Sequence, residues 1–314
     1  MISVLMSVFN AENWVQKSIE SVISQDYNNW EFIIVNDGST DNTKKIIEDY
    51  LIRDSRIKIY NKENTGLTKS LNYGLERCSG KYIARLDADD ICLPNRLSTQ
   101  YNFMQQNPEV VLCGSYHYEK NGYTNKYKLC RYPKSNEGLK NNLLNVKNFF
   151  SHSSSMFLKN AVREFEGYSE KFKKTQDFDL WLKLSSMGKI ACIDKPLVEI
   201  LKHDNSISNS DRGFDQYSYG VVAASSYFIY KEKNIWLDKI LDEKTWDNMM
   251  QDANDLIQSE PYVIGLMLDK KKLALQPFQL IKNYKYIYHW LIFKLFGSSL
   301  PIKISKKIIK SHNI

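Results

Sequence analysis

Three carboxylates, Asp87, Asp89 and Asp90, crowd into four positions directly after the apolar run Tyr82-Ile83-Ala84-Arg85-Leu86. Carboxylates this close resist ionising together, and a hard divalent cation with oxygen ligands is the simplest group that holds them side by side. A plainer alternative is an acidic turn in which Asp89 or Asp90 caps the next helix and Pro94 sits in its first turn. A second acidic turn, Asn36-Asp37-Gly38-Ser39-Thr40-Asp41, follows another apolar run, Phe32-Ile33-Ile34-Val35. Two strand ends with acidic tips favour one shared site over two unrelated caps.

Bringing two such tips together requires a sheet. Apolar segments at 2–8, 30–35, 57–61, 82–86 and 110–118 alternate with amphipathic segments near 11–24, 41–53, 66–78 and 94–106. The alternation predicts strand–helix–strand units in an open, parallel α/β sheet. Helix starts are signalled by Thr40/Asp41 and by Pro94, and stops by Gly80 and Pro108. Ligands of such sheets bind outside the carboxyl ends of the strands, where Asn10, Asp37 and residues 87–90 fall. From 111 to 212 the pattern is less regular. It holds a His152-Ser153-Ser154-Ser155 turn, a loop through Gly167, a helix over 177–187 ending at Gly188, and a strand over 197–201 running into Lys202-His203-Asp204. Helical periodicity takes over from 211, which predicts a boundary near Gly213 between a 1–212 domain and a helical, basic 213–314 region.

With 314 residues, 43% apolar and 13% aromatic, the chain reads as globular rather than disordered. Its five cysteines (Cys78, Cys92, Cys113, Cys130 and Cys192) are scattered and show no Cys-x-x-Cys or zinc spacing, so reduced, mostly core thiols are expected. The net charge of +7 is concentrated: residues 270–314 carry ten lysines and no acid, leaving the rest net acidic. With no zinc spacing, RNP pattern or base-reading basic helix in the body, no nucleic-acid partner is expected. The apolar stretch at 2–9 is too short for a signal peptide, and no uncharged stretch reaches the roughly 18 residues that span a bilayer, so a cytoplasmic protein is expected. The aromatic segment 286–296 among lysines suits an interfacial helix on an anionic membrane face. An apolar helix face docked on the 1–212 domain, with its lysines in water, accounts for it otherwise.

Taken in order, Ser7-Val8-Phe9-Asn10, the NDGSTD turn at 36–41, Asn64-Thr65-Gly66-Leu67, GKYIARLDADD at 80–90, Pro94 with Arg96, and Asp177-x-Asp179-Leu180-Trp181 resemble the family 2 inverting glycosyltransferases. These are nucleotide-sugar enzymes of the GT-A fold, a Rossmann-like, doubly wound, mostly parallel mixed α/β sheet. The likeness is strongest to bacterial enzymes that build O-antigen and capsule repeats, and it covers roughly residues 1–210.

The resemblance implies roles. Asp87 and Asp89 match the DxD pair that holds Mn²⁺ or Mg²⁺ on the donor diphosphate, with Asp89 nearer the metal and Asp87 facing the ribose or the metal's water; Ala88 lies between them on the donor. Asp37 matches the aspartate that holds the base, beside Ser7, Phe9 and Asn10, although an Asx turn before Gly38 would also explain it. Phe9 stands where many relatives have Tyr, which keeps stacking and loses a phenol hydrogen bond. Asn64 and Gly66 let backbone approach the donor, or simply start a helix. Asp177 matches the catalytic base of a Glu-Asp pair, here Gln176-Asp177, and ordinary negative charge at a helix N-terminus is the alternative. His203 matches a late metal-shell histidine, and His152, Gln176 and Trp181 are expected near the sugar or acceptor.

The implied reaction moves a hexose or N-acetylhexosamine from a UDP-sugar to a polyprenyl-diphosphate-linked saccharide. Residues 1–110 would form the donor half and 111–212 the acceptor half, on a protein peripheral to the inner face of the cell membrane through 270–314. A nucleotidyltransferase would need a glycine-rich phosphate loop near the first strand, which residues 7–12 lack. A non-catalytic, membrane-bound assembly subunit rests on Gln176 alone.

Overall fold

The computed structural model describes residues 1–147, 149–203 and 214–259. It opens with strands β1 (Ile2–Val8), β2 (Trp30–Asp37), β3 (Ile57–Lys62) and β4 (Tyr82–Arg85), separated by helices α1 (Val15–Ile23), α2 (Thr43–Arg53) and α3 (Leu67–Arg77). β1 pairs in parallel with β2 and β4, and β2 with β3, so the ends of all four strands emerge at one edge. Every residue of β1 and β2 is buried, as expected of parallel strands covered on both faces. α1 lays Val15, Ile19 and Val22 on a core built from Ile2, Val4, Met6 and Val8. α3 lies close on the sheet at Gly74, where a Cβ would stand 2.4 Å from Leu5 Cδ1.

The second half continues with β5 (Ile91–Cys92), α4 (Arg96–Gln106), β6 (Val110–Asn121), β7 (Tyr127–Cys130), α5 (Asn136–Leu144), a 3₁₀ turn (His152–Ser154), β8 (Met156–Leu158), α6 (Lys159–Arg163), α7 (Gln176–Met187) and β9 (Lys189–Lys202). The nine strands form one sheet in the order β3-β2-β1-β4-β8-β6-β9-β5, with β7 on β6. β8 runs antiparallel to both β4 and β6, whereas β6 and β9 are parallel. The open, parallel sheet expected from the strand spacing holds for β1 to β4, whereas β8 reverses direction and makes the whole the mixed, mostly parallel sheet that the resemblance implied. Buried Arg96 ties the reversal together, donating from Nη2 to the carbonyls of Arg85 (2.7 Å) and Ser155 (3.1 Å).

The strand expected over 197–201 is the end of a longer one, β9, which begins at Lys189 and passes through Pro196 where its register with β6 shifts. Two helix starts also differ from the sequence expectation for local reasons. α1 starts at Val15 rather than 11, because Asn10 turns the chain at φ +47° and the Ala11 N–H donates to Thr43 Oγ1 at 2.7 Å. α4 starts at Arg96, with Pro94 ahead of it and Asn95 as N-cap, so neither Asp89 nor Asp90 caps it. β5, β7 and β8 are too short to show a period.

The chain divides into one compact unit of residues 1–143 with 147–212 and another of 144–146 with 213–314. In the second, α8 (Phe214–Lys233), α9 (Leu237–Ile240) and α10 (Glu243–Ser259) follow in order. Trp236 stacks on Tyr230 at 4.5 Å and Trp246 is buried. Among the described residues no helix is long and apolar enough to cross a membrane. The basic segment 270–314 lies outside the described residues.

Candidate functional site

A cleft of about 570 Å³ opens where β1, β2 and β4 end. Ser7, Phe9, Asn10, Asp37, Asn64 and Gly66 line it, as do Asp87, Ala88, Asp89 and His203. The ten residues singled out for donor and metal therefore meet in one cavity, of a size that suits a small-molecule ligand.

Side chains lock the two strand tips together. Asn10 tolerates its left-handed backbone and accepts from the Thr40 N–H through Oδ1 at 2.8 Å, while its own N–H donates to Ser39 Oγ at 3.1 Å. The turn through Gly38 is held by Asn36, whose Oδ1 accepts from the N–H of Ser39, three residues on, at 3.1 Å. Asp37 does something else. It is 3% exposed and accepts from the N–H groups of Thr65 and Gly66, each at 2.9 Å, and from Lys62. Burial alone would raise its pKa, but the Lys62 ammonium and the Thr65 N–H hold it below the usual range. Asp37 thus clamps the loop that bears Asn64 and Gly66. Phe9, 49% exposed, offers an open ring face at the rim.

The acidic loop is fixed from three directions. Ser18 of α1 donates to the carbonyls of Ala88 (2.8 Å) and Asp90 (2.7 Å). Ser153 accepts from the Asp87 N–H and donates to Asp87 Oδ2, both at 2.9 Å. The fully buried Arg85 guanidinium pairs with Asp87 Oδ1, and burial, which opposes ionisation, is outweighed by that cation, so the Asp87 pKa falls. Asp90 is buried and accepts from the Leu201 N–H at 3.1 Å; burial and the charges of Asp89 and Asp87 push its pKa well up. Asp89 stands 2.9 Å from His203 Nε2, and burial with repulsion from Asp87 raises its pKa. The His203 ring stacks on Trp14 at 4.3 Å.

Asp177, His152, Gln176 and Trp181 lie outside the cleft lining and cluster toward β8 and α7. Thr175 enters α7 with φ +62°, strained for a β-branched residue, and Asp177 follows in the first turn, where its Oδ1 accepts from the Phe178 N–H at 2.8 Å. Burial, with the Asp87 charge adding to it, pushes the Asp177 pKa up to about 6. His152 Nε2 is 2.8 Å from the Tyr168 hydroxyl, and burial followed by the nearby Arg85 charge lowers its pKa to about 3. Trp181 is 1% exposed and packs edge-on to His152 at 5.7 Å. Any part it has in the site therefore runs through His152. Gln176 is buried as well, at 8%.

The sequence profile described as glycosyl transferase family 2 matches residues 3–165. An O-antigen biosynthesis glycosyltransferase of Escherichia coli, WbnJ, is 38% identical over 186 residues, covering 59% of this chain and 71% of that protein. This chain belongs to glycosyl transferase family 2. Two solved structures share its fold. TarS residues 1–349 of S. aureus, in complex with UDP-GlcNAc, matches with a TM-score of 0.60 at 17% identity, covering 89% of this chain and 77% of that one. The mannosyltransferase PcManGT of Pyrobaculum calidifontis, in complex with GDP-Man and Mn²⁺, matches with a TM-score of 0.54 at 16% identity, covering 94% and 87%. The GT-A fold expected from the motifs is the fold of this family 2 glycosyltransferase.

The donor set in the family 2 cleft suits a divalent cation. Asp89 and His203 present an oxygen and a nitrogen side by side, and Asp89 and Asp87 repel in a way a cation would relieve. Three contributors to this glycosyltransferase site were not singled out from sequence: Arg85, Trp14 and Ser153. Arg85 had a signal, being a charged residue inside an otherwise apolar strand. Trp14 and Ser153 had none beyond proximity to a motif.

Proposed function

We propose that this family 2 glycosyltransferase is an inverting, metal-dependent enzyme that moves a hexose or N-acetylhexosamine from a UDP-sugar to a lipid-linked saccharide in cell-surface polysaccharide synthesis. The observation that carries the reading is the division of labour among carboxylates. Asp87 and Asp89 face the donor cleft, whereas Asp177 lies outside its lining with a pKa raised to about 6. A carboxylate of that basicity is mostly ionised at neutral pH and a better proton acceptor than an ordinary aspartate.

In this reading the acceptor hydroxyl oxygen bonds to the anomeric carbon as the bond from that carbon to the diphosphate oxygen breaks. The electron pair leaves with UDP, and the hydroxyl proton passes to Asp177. Attack from the face opposite the leaving group inverts the centre. Asp89 and His203 would hold Mn²⁺ or Mg²⁺, which as a Lewis acid supplies charge for the departing diphosphate. Phe9 stacks on the base, and the loop clamped by Asp37 brings the Asn64 and Gly66 backbone to the nucleotide. His152, held by Tyr168 and Trp181, stays neutral beside the acceptor.

O-antigen biosynthesis in the relative WbnJ and the nucleotide sugars bound by TarS and PcManGT support the substrate classes. The ten lysines and aromatic run of 270–314 support attachment to the inner leaflet, where a polyprenyl-diphosphate acceptor would be presented. The test is mass-spectrometric detection of transfer from a panel of nucleotide sugars to a diphospholipid monosaccharide, with and without Mn²⁺. Transfer of an inverted sugar only with metal is expected; transfer undiminished by chelator, or retention of configuration, refutes the mechanism.

A further inference from the structure

The hairpin of β6 and β7 places His117 directly across from Cys130, and Glu119 two residues on along β6. Side chains two apart on a strand share a face, so all three converge on one side of the ladder. A ring nitrogen of His117, the Cys130 sulphur and a Glu119 carboxylate oxygen lie within 4.8 Å of one another. His117 is 4% exposed, and its Nδ1 is buried with no hydrogen-bond partner. A buried imidazole nitrogen without a partner bears an unmet desolvation cost, which coordination would recover. We infer that His117, Glu119 and Cys130 form a second metal site, separate from the donor cleft, that takes a zinc-class cation with water as fourth ligand.

The ligand types choose the metal. Thiolate with imidazole favours Zn²⁺ over Mn²⁺ or Mg²⁺, and a tetrahedral zinc wants its ligand atoms about 3.5 Å apart, so the three side chains would draw in from the 4.8 Å within which they now lie. Glu119 now pairs with Lys128 at 3.1 Å and Lys202 at 3.8 Å. The Lys128 side chain is 75% exposed and can release the carboxylate into solvent. The same β6 pairs Asn121 with Lys202 of β9, the residue before His203. Metal here would brace the strand that ends at the donor site.

Co²⁺ titration of the full-length, chelator-treated protein tests the site, because a Co²⁺–thiolate bond gives a near-ultraviolet charge-transfer band that a carboxylate–histidine site cannot. One equivalent of Co²⁺ should produce the band and one of Zn²⁺ should remove it. Cys130→Ser should abolish it with an unchanged circular dichroism spectrum, and Glu119→Gln should weaken Co²⁺ binding about tenfold or more. Absence of the band in the full-length protein, or its persistence in Cys130→Ser, overturns the inference. Should Cys130→Ser fail to fold, unchanged Co²⁺ affinity in Glu119→Gln overturns it instead.

Discussion

Asp177→Asn separates catalysis from stability in opposite directions. The Asp177 carboxyl titrates near 6 in the folded protein against an ordinary value of 3.8, a difference worth about 3 kcal/mol at most and about 2 kcal/mol once its partial exposure is allowed for. The sign follows from proton binding. Between the two values the folded state holds the proton more tightly than the unfolded chain, so stability falls as pH rises from about 4 to 6 and stays reduced above. Asparagine preserves the shape and carries no such penalty. At pH 7.5 the variant should therefore melt higher than the parent, and the gap should close as pH approaches 4. Its kcat should nevertheless drop by about 10² to 10⁴, the contribution of a positioned general base, or about 2.7–5.5 kcal/mol of barrier. The parent's kcat should rise about tenfold per unit below pH 6 and level off above, a dependence the variant loses. Scanning calorimetry across pH and turnover with a coupled UDP-release assay supply both halves. A variant that melts lower at pH 7.5, or keeps a rate within tenfold of the parent, would show that Asp177 is a structural helix-start residue.

Asp89→Asn should keep the fold, because the side chain sits at a partly exposed turn, yet abolish the gain in UDP affinity that Mn²⁺ confers; calorimetry with and without Mn²⁺ reads this directly. Gly38→Ala places a Cβ 2.6 Å from the Asn64 backbone nitrogen at a φ of +74°, so the loop clamped by Asp37 must shift. UDP should bind at least about tenfold more weakly, a difference of about 1.4 kcal/mol, while the Co²⁺–thiolate band on the β6–β7 hairpin stays unchanged. Replacing Lys303, Lys306, Lys307 and Lys310 by Gln should weaken co-sedimentation with anionic liposomes by up to about 4 kcal/mol at low salt, with UDP binding intact. Equal sedimentation of the variant, or no salt dependence in the parent, would remove the membrane assignment.

The first half of the sheet was legible because β1 and β2 are long, apolar and buried throughout, so strand ends and motifs coincide: the sequence pattern alone puts Asp37 and residues 87–90 on one edge. Boundaries failed where side chains override local preference. Asn10 holds a left-handed turn through Ser39 and Thr40, thirty residues away in sequence, and no local pattern predicts that. Asp37 could not be told from Asn36 as the turn-maker, because both residue types bond nearby backbone N–H groups and only the position of the Thr65 and Gly66 amides decides. The cluster at Asp177, His152 and Trp181 depends on short antiparallel pairings of β8, whose three residues carry no period. The zinc-class set escaped notice because His117 and Glu119 reach Cys130 only across a hairpin whose pairing the spacing does not announce.

β8 lies between β4 and β6 with its direction reversed, joined to β4 by only Tyr82↔Leu158, Ile83↔Phe157 and Ala84↔Met156. The end of β4 therefore meets the start of β8, and Asp87 meets Ser153 across that seam. Connections that line the cleft leave the forward-running strands, whereas those carrying His152 and Asp177 flank the reversed one. Insertions or sequence drift in the second set need not disturb the register of the first. With the roles proposed above for the two sets, a lineage can exchange the molecule it glycosylates while inheriting its donor chemistry, with the Asp87–Ser153 contact the narrow joint that each exchange must preserve.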